Sequence, residues 1–470
     1  MAVIESRNDT CSKNNQLNRM DALLEILRLN AIEPSIELQQ QLRKLMAHGT
    51  LTANGAEKTS AAKFITYCPC PKSQQRTSTS IVSSRLGRKI DQHDEFFRVL
   101  RIACSQLNPR RQVLLTAKRT TTHSFVSRAA ELFGLDVVEA QIAAPNTSLE
   151  QWLDCCSHLS TNDTVLMVWQ LPDQSASRTP TRDAVTVNCA DQVLAIHMSK
   201  SGNTNTLLRE RVEQQEPPRV YLAIGNEQLV TQSVADPLMQ HGAIGWYLLS
   251  SKGGHSTRLL NAEANEKQPV YGLSELPDNR CFLTHCTRGP HGPWPDQSEP
   301  DFLDELILGT ASRDRSALAA LTRIVGQRRI LATGEAIRSG TPAVSLTSVP
   351  LSELHSLRQF RSHRGRWDFE PYGIAIDREL LVNHGARPAI YGDEDVWRSL
   401  STNDQPYFQR IGEKENSIDW RVEKEFRVLG DIDLDRIPTD KAIVFAPTQQ
   451  EAEHVASISK WPVVVMNPKT

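Results

Sequence analysis

Apolar residues recur at helical spacing near the start of the chain. Leu17, Met20, Leu23, Leu24 and Leu27 form one set, and Ile36, Leu38, Leu42, Leu45 and Met46 a second. Pro34 lies between them, so the pattern predicts a short N-terminal helical hairpin rather than one long helix. Residues 49–61 lose the periodicity, turn polar and read as a linker, which gives a first segment over 1–60. From 61 to 250 the pattern becomes a series of short apolar runs separated by amphipathic stretches. Residues 113–116, 135–140, 165–169, 192–196 and 220–224 read as strands, and 125–133 as a helix with Gly134 as its C-cap. Apolar strands alternating with helices predict a Rossmann-like α/β domain, a parallel sheet covered on both faces. Glycine-rich and polar runs at 250–255 and 261–268 read as a connector over 251–278. The segment 279–470 mixes strands with fewer helices and reads as an α+β domain.

The sharpest alternation lies at 420–428. Trp420, Val422, Phe426 and Val428 fall on one side, with Lys424 among them, and Arg421, Glu423, Glu425 and Arg427 fall on the other. A strand with this pattern aims two carboxylates in the same direction, and like charges that close push their pKa values apart. The same pattern also fits a half-exposed antiparallel strand with a solvated charge ladder. Upstream lie a strand ending in a histidine, Leu283-Thr284-His285-Cys286-Thr287-Arg288, and another ending in Thr347-Ser348. Between Arg313 and Arg366 there are ten Arg or Lys residues against three acids, Asp314, Glu335 and Glu353. That local excess suits a phosphate or pyrophosphate, and equally a solvated basic face. Four residues with metal-ligand chemistry, Cys281, His285, Cys286 and His291, match no common zinc spacing, and no metal is expected there.

Ligands of parallel α/β sheets sit beyond the carboxyl ends of the strands, where helix N-termini favour anions. Two loops have that position. One spans 116–124, with Lys118, Arg119 and several hydroxyls. The other spans 197–205 and carries Ser201, Gly202 and Asn203 ahead of a helix. Ordinary capping by Asn203 or Thr204 accounts for the second loop equally well. The run 189–197, followed by Ser201-Gly202-Asn203 and a helix, resembles the SLOG superfamily, Rossmann-like proteins that include the DprA and LOG groups. That resemblance implies binding of nucleotides or nucleotide-derived signals. The chain departs from the pattern at 116–123, which contains no glycine.

The order histidine, then Thr-Ser at a strand end, then Glu-x-Glu on a late strand is similar to that of ADP-ribosyltransferases. The chemistry suits these residue types. Breaking the nicotinamide–ribose bond of NAD builds positive charge on the ribose, which a carboxylate stabilises. The resemblance implies His285 on a ribose hydroxyl, and catalysis by Glu425 with Glu423 as the alternative. It places Thr287, Arg288, Thr347, Ser348, Arg361 and Tyr372 around the dinucleotide. Residues 342–354, 369–374, 385–391 and 420–427 also resemble a family of bacterial domains related to AbiGi-type abortive-infection proteins, over about 280–455. The layout has a looser similarity to DarT-type DNA ADP-ribosyltransferases. These resemblances imply a phage-defence role, NAD as the cofactor consumed, and a macromolecular acceptor.

Composition narrows the picture. With 470 residues the chain exceeds a single core, and its net charge of −2 argues against a nonspecific nucleic-acid binder. No apolar run reaches the roughly 18 residues that span a bilayer. Nine scattered cysteines and a start lacking a basic-then-apolar layout lead to the expectation of a cytoplasmic protein with reduced thiols. The sequence therefore predicts a nucleotide-binding-like α/β domain joined to an ADP-ribosyltransferase-like or NAD-cleaving domain. Its competitor is a non-catalytic nucleotide- or partner-binding protein in which the Glu-x-Glu strand is structural.

Overall fold

A computed structural model describes residues 19–54, 63–70, 76–87, 89–172, 181–215, 217–248, 268–276, 281–335, 337–361, 366–411 and 419–466. Most of the expected connector, 251–267 and 277–278, lies outside these residues, as do 55–61 of the expected linker. The chain divides into two compact units. The first takes residues within 1–87, 92–254 and 303–310, and the second those within 88–91, 255–302 and 311–470.

The first unit is built on a nine-stranded sheet. Its strands are β1 (Thr50–Asn54), β2 (Phe64–Cys68), β3 (Thr77–Ser83), β4 (Gln112–Ala117), β5 (Val137–Ile142), β6 (Val165–Gln170), β7 (Gln192–His197), β8 (Val220–Ile224) and β9 (Ile244–Tyr247), in the order β1-β2-β6-β5-β4-β3-β7-β8-β9. From β6 to β9 the pairing is parallel, and β1 and β2 run antiparallel at one edge. The expected parallel sheet is present, as is the expected helix, which spans His123–Phe133 and ends on Gly134 at φ +63°. Two features differ from expectation. Residues 50–54, read as linker, form β1. β3 was not anticipated, because five of its seven residues are Ser or Thr and hide its strand character. Residues 19–29 and the helix Ile36–His48 form the expected helical pair. Their Leu27, Leu42 and Leu45 pack with Tyr67, Trp152 and Trp169, so the pair is part of this unit's core. The strand order reverses between β3 and β7. The chain steps outward through β4, β5 and β6, then returns to the other side of β3.

The second unit carries an eight-stranded mixed sheet. Its members are β10 (Val270–Gly272), β11 (Phe282–Cys286), β13 (Ala343–Thr347), β16 (Gly373–Asp377), β17 (Arg387–Pro388), β20 (Glu425–Leu429), β22 (Ala442–Ala446) and β23 (Val463–Val465), in the order β10-β23-β22-β16-β11-β13-β20-β17. Three two-stranded ribbons accompany it: β12 (Arg329–Ile330) with β21 (Ile432–Asp433), β14 (Gln359–Arg361) with β15 (Arg366–Asp368), and β18 (Ile390–Gly392) with β19 (Phe408–Arg410). One face of the main sheet, with Leu283, Val344, Leu346, Ile374, Ile376, Phe426 and Val428, packs on helical residues including Leu321, Val325, Leu381 and Val455. On the other face Ala375, Ile443, Phe445 and Val464 pack on Val349, Leu351 and Leu354. Both faces of the central strands are therefore apolar. On β13 and β20 the face opposite Val344, Leu346, Phe426 and Val428 carries Ser345, Thr347, Glu425 and Arg427. Among the described residues no helix is long and apolar enough to cross a membrane.

Candidate functional site

The alternating stretch at 420–428 is not one strand. Trp420–Glu423 is a 3-10 turn, Lys424 takes left-handed backbone geometry at φ 43°, and β20 begins at Glu425. The reason lies in the pattern itself. A continuous strand would have put Lys424 on the face that Phe426 and Val428 bury in the core. The turn leaves Lys424 exposed and Val422 at 54% exposure while Phe426 and Val428 keep their places. Glu423 and Glu425 therefore do not form the expected pair of carboxylates on one strand face. Glu423 ends the turn, and its backbone carbonyl accepts a hydrogen bond from Thr347 Oγ1. Ser348 Oγ donates to the Lys424 carbonyl at 3.2 Å. The Thr347-Ser348 pair thus holds the turn that delivers Glu425 to the sheet.

β13 runs between the histidine strand and the glutamate strand. It pairs with β11 at Thr284–Thr347 and with β20 from Ala343–Leu429 to Thr347–Glu425. Ser345 connects the two flanking side chains. Its carbonyl accepts from His285 Nδ1 at 3.0 Å, and its hydroxyl donates to Glu425 Oε1 at 2.8 Å. A carbonyl can only accept, so Nδ1 carries the proton, and in the neutral ring Nε2 is an acceptor. Burial holds the His285 pKa below its ordinary value of 6.5. The bond to Ser345 opposes that shift, and nearby Arg288 adds to it. Neutral imidazole is consequently the form present at pH 7. Ser345 itself is exposed, so solvent reaches the Glu425 carboxylate from that side.

Glu425 is held from three directions. Its backbone N–H donates to Tyr391 Oη at 3.0 Å, and its carbonyl accepts from Ala389 N at 2.8 Å. Its carboxylate forms an ion pair with Arg427, 2.9 Å from Nε to Oε1 and 3.1 Å from Nη2 to Oε2. Burial is the main cause of a raised Tyr391 phenol pKa, with Glu425 and Glu423 among the charges that add to it. Burial likewise pushes the Cys286 thiol up to about 12, so the cysteine beside His285 is held as the thiol.

Other expected site residues have different commitments. Thr287 is buried, with its hydroxyl donating to the Ala317 carbonyl at 2.9 Å and its N–H to Tyr372 O at 2.8 Å. Tyr372 Oη donates to Glu451 Oε1 at 2.9 Å. Arg361 pairs with Asp368 at 3.0 Å, with both side chains buried, and its guanidinium lies 5.2 Å from the Trp420 ring centroid. Arg288 is exposed. The fold thus brings together Thr347, Ser348, Glu423 and Glu425, and it adds Ser345, Tyr391 and Arg427. The register, however, sets His285 with Leu283 and Ile374 on the opposite face of the sheet, linked to the group through the Ser345 carbonyl. Alternation placed Arg427 with the outward charges, yet it is 2% exposed.

In the first unit the carboxyl ends of β3 and β7 meet. Ser84 N donates to the His197 carbonyl at 2.8 Å, and Ser199 N and Oγ lie 2.9 and 3.1 Å from Ser84 Oγ. Gly202 caps the helix Asn203–Gln214 without any side-chain cap, so neither Asn203 nor Thr204 caps it. A Cβ on Gly202 would sit 2.7 Å from Ser199 Oγ and 3.0 Å from Ser84 Oγ, which explains the glycine. Ser201 and Asn203 are exposed beside it. The His197 pKa is lowered, mainly by burial, and its ring centroid is 5.9 Å from that of His93. Lys118 and Arg119 follow β4, one strand away, and Lys118 pairs with Glu139 at 3.0 Å. No family model matches the chain, and no curated protein matches it.

Proposed function

We propose that the second unit cleaves NAD, either transferring ADP-ribose to an acceptor or passing it to water. The observation that carries this reading is the Glu425 carboxylate at the start of β20, bonded to the hydroxyl of exposed Ser345 and oriented by Arg427. In the reaction the bond between nicotinamide and ribose C1′ breaks, and its electron pair leaves with nicotinamide. Positive charge spreads over C1′ and the ring oxygen, an acceptor oxygen or nitrogen attacks C1′, and that acceptor loses its proton. Glu425 supplies the negative charge that stabilises the cation. Exposed Arg288 suits the pyrophosphate, and His285, from the opposite face, fixes the backbone of Ser345, whose hydroxyl meets Glu425.

In the same proposal the first unit binds a phosphate-bearing nucleotide beyond the carboxyl ends of β3 and β7, with Ser84, Ser199, Ser201 and the backbone at Gly202 as its cradle. A defence role, in which ligand binding to the first unit governs NAD loss by the second, rests on the abortive-infection resemblance. The test is NAD consumption by the full chain and by Glu425→Gln. Loss of a central carboxylate lowers the rate by on the order of 10²–10⁴. Equal rates in the two proteins would exclude catalysis by Glu425. A second reading, a non-catalytic binding protein, is favoured by the buried Arg427 guanidinium, since Glu425 is also its structural counter-charge. That reading expects wild type to leave NAD intact while Glu425→Gln loses thermal stability.

A further inference from the structure

Every N–H of the Arg427 guanidinium has an acceptor. Nε donates to Glu425 Oε1 at 2.9 Å, and Nη2 donates to Glu425 Oε2 at 3.1 Å and to Gln409 Oε1 at 2.7 Å. Nη1 donates to the Pro406 and Phe408 carbonyls at 2.8 and 2.9 Å. That accounts for all five donors of an arginine. Two of them grip the carboxylate, and three are anchored on the short segment that carries β19. β19 is in turn paired with β18, whose Tyr391 accepts from the Glu425 N–H. The same small ribbon therefore fixes Glu425 twice, once through its backbone and once through Arg427.

We infer that Arg427 is a positioning residue for Glu425. Its planar fork sets the rotation of the carboxylate about the side-chain axis. Oε1 takes both Arg427 Nε and the Ser345 hydroxyl, which fills its two lone pairs, whereas Oε2 takes Arg427 Nη2 and retains one. Oε2 is then the oxygen that meets the substrate, a ribose hydroxyl of NAD. This rests on the NAD-cleaving reading of the site. A point charge in place of the fork keeps the ion pair but releases the rotation, because an ammonium does not match both carboxylate oxygens.

The experiment is steady-state NAD cleavage by the full chain, with wild type, Arg427→Lys and Gln409→Leu, and with rates expressed per folded molecule from thermal melts. Arg427→Lys should lower kcat by on the order of 10²-fold, the cost of a misplaced reacting group, and leave KM within about threefold. Gln409→Leu removes one of the three anchors and should lower kcat by about threefold or more with KM unchanged. A purely structural role would reduce the folded fraction and leave kcat per folded molecule at the wild-type value. That result in Arg427→Lys overturns the inference. Should Arg427→Lys not fold, the same result in Gln409→Leu overturns it. A wild type that does not cleave NAD overturns the reading of the site itself, an outcome separate from either variant result.

Discussion

Glu425 illustrates how one side chain comes to serve two ends. Its carboxylate is 12% exposed and neutralises a guanidinium that is 2% exposed, so charge and structure are linked at a single residue. Removing one partner of a buried pair strands the other charge without water or counter-ion, at a cost of about 3–5 kcal/mol. Glu425→Gln should therefore melt lower by roughly 10 °C, whether or not it abolishes turnover. Adding Arg427→Met to that variant should recover part of the loss, because no uncompensated charge then remains. Thermal unfolding of the two variants beside wild type checks this, and a double variant no more stable than Glu425→Gln would refute it. At this scale the order of motifs pointed to His285, Thr347, Ser348 and Glu425. Ser345 and Arg427 were not legible as partners. Which strands are neighbours is a non-local fact, and Ser345 meets Glu425 80 residues away in sequence.

At the scale of elements, close approach of backbones fixes the end of the sheet where the site lies. Gly373 opens β16 opposite Cys286, and a Cβ there would lie 2.2 Å from the His285 carbonyl and 2.6 Å from the Phe445 ring. Neither a backbone oxygen between paired strands nor a buried ring can yield cheaply. Gly373→Ala should thus destabilise by at least about 1–3 kcal/mol and displace His285, read as a lower denaturation midpoint together with altered His285 imidazole shifts in NMR. A variant with unchanged stability and shifts would contradict this account. The 420–428 stretch teaches a related lesson. Period-two alternation correctly kept Phe426 and Val428 on the core face, but one charged residue at an apolar position was resolved by a turn, not by burial. β3 escaped notice for the opposite reason. Its central hydroxyls are buried beside neighbouring strands, and only the completed sheet makes a Ser/Thr-rich strand intelligible.

For the molecule as a whole, three histidines report on pH together. Burial is the first cause of lowered pKa values at His197, His285 and His454. Each takes up its proton at lower pH in the folded chain than in the unfolded chain, where it titrates near the ordinary 6.5. As pH falls through that value the unfolded state takes up protons first, so this contribution to stability is complete above about pH 7.5 and is lost progressively below 6.5. Melting temperature should be flat between pH 7.5 and 8.5 and should decline from pH 6.5 to 5.5. Replacing His454, which is remote in sequence from both candidate sites, with Gln should make that decline shallower. A decline of wild-type steepness in His454→Gln would remove His454 from the account. The division of the chain also governs how the second unit is prepared. A fragment starting at 279 discards β10, which pairs with β23, and residues 303–310 group with the first unit. The full chain is the proper material for assays.

Sequence alone determined the features that depend on neighbours a few residues apart. The helical pair, five of the parallel strands after β3 with the helix ending on Gly134, the strand ending in His285 and the strand ending in Thr347 all follow from local periodicity and capping. So does the change from α/β to mixed architecture after the connector. The tertiary structure alone decided the pairings. It set β13 between β11 and β20, inserted β3 at the point where the strand order reverses, and broke the Glu-x-Glu stretch at Lys424. It also turned Arg427 from an apparent surface charge into a buried clamp. The physical reason is common to all four. Strand neighbours and the burial of polar groups are settled by contacts between residues tens of positions apart, where hydrogen-bond satisfaction outweighs local pattern.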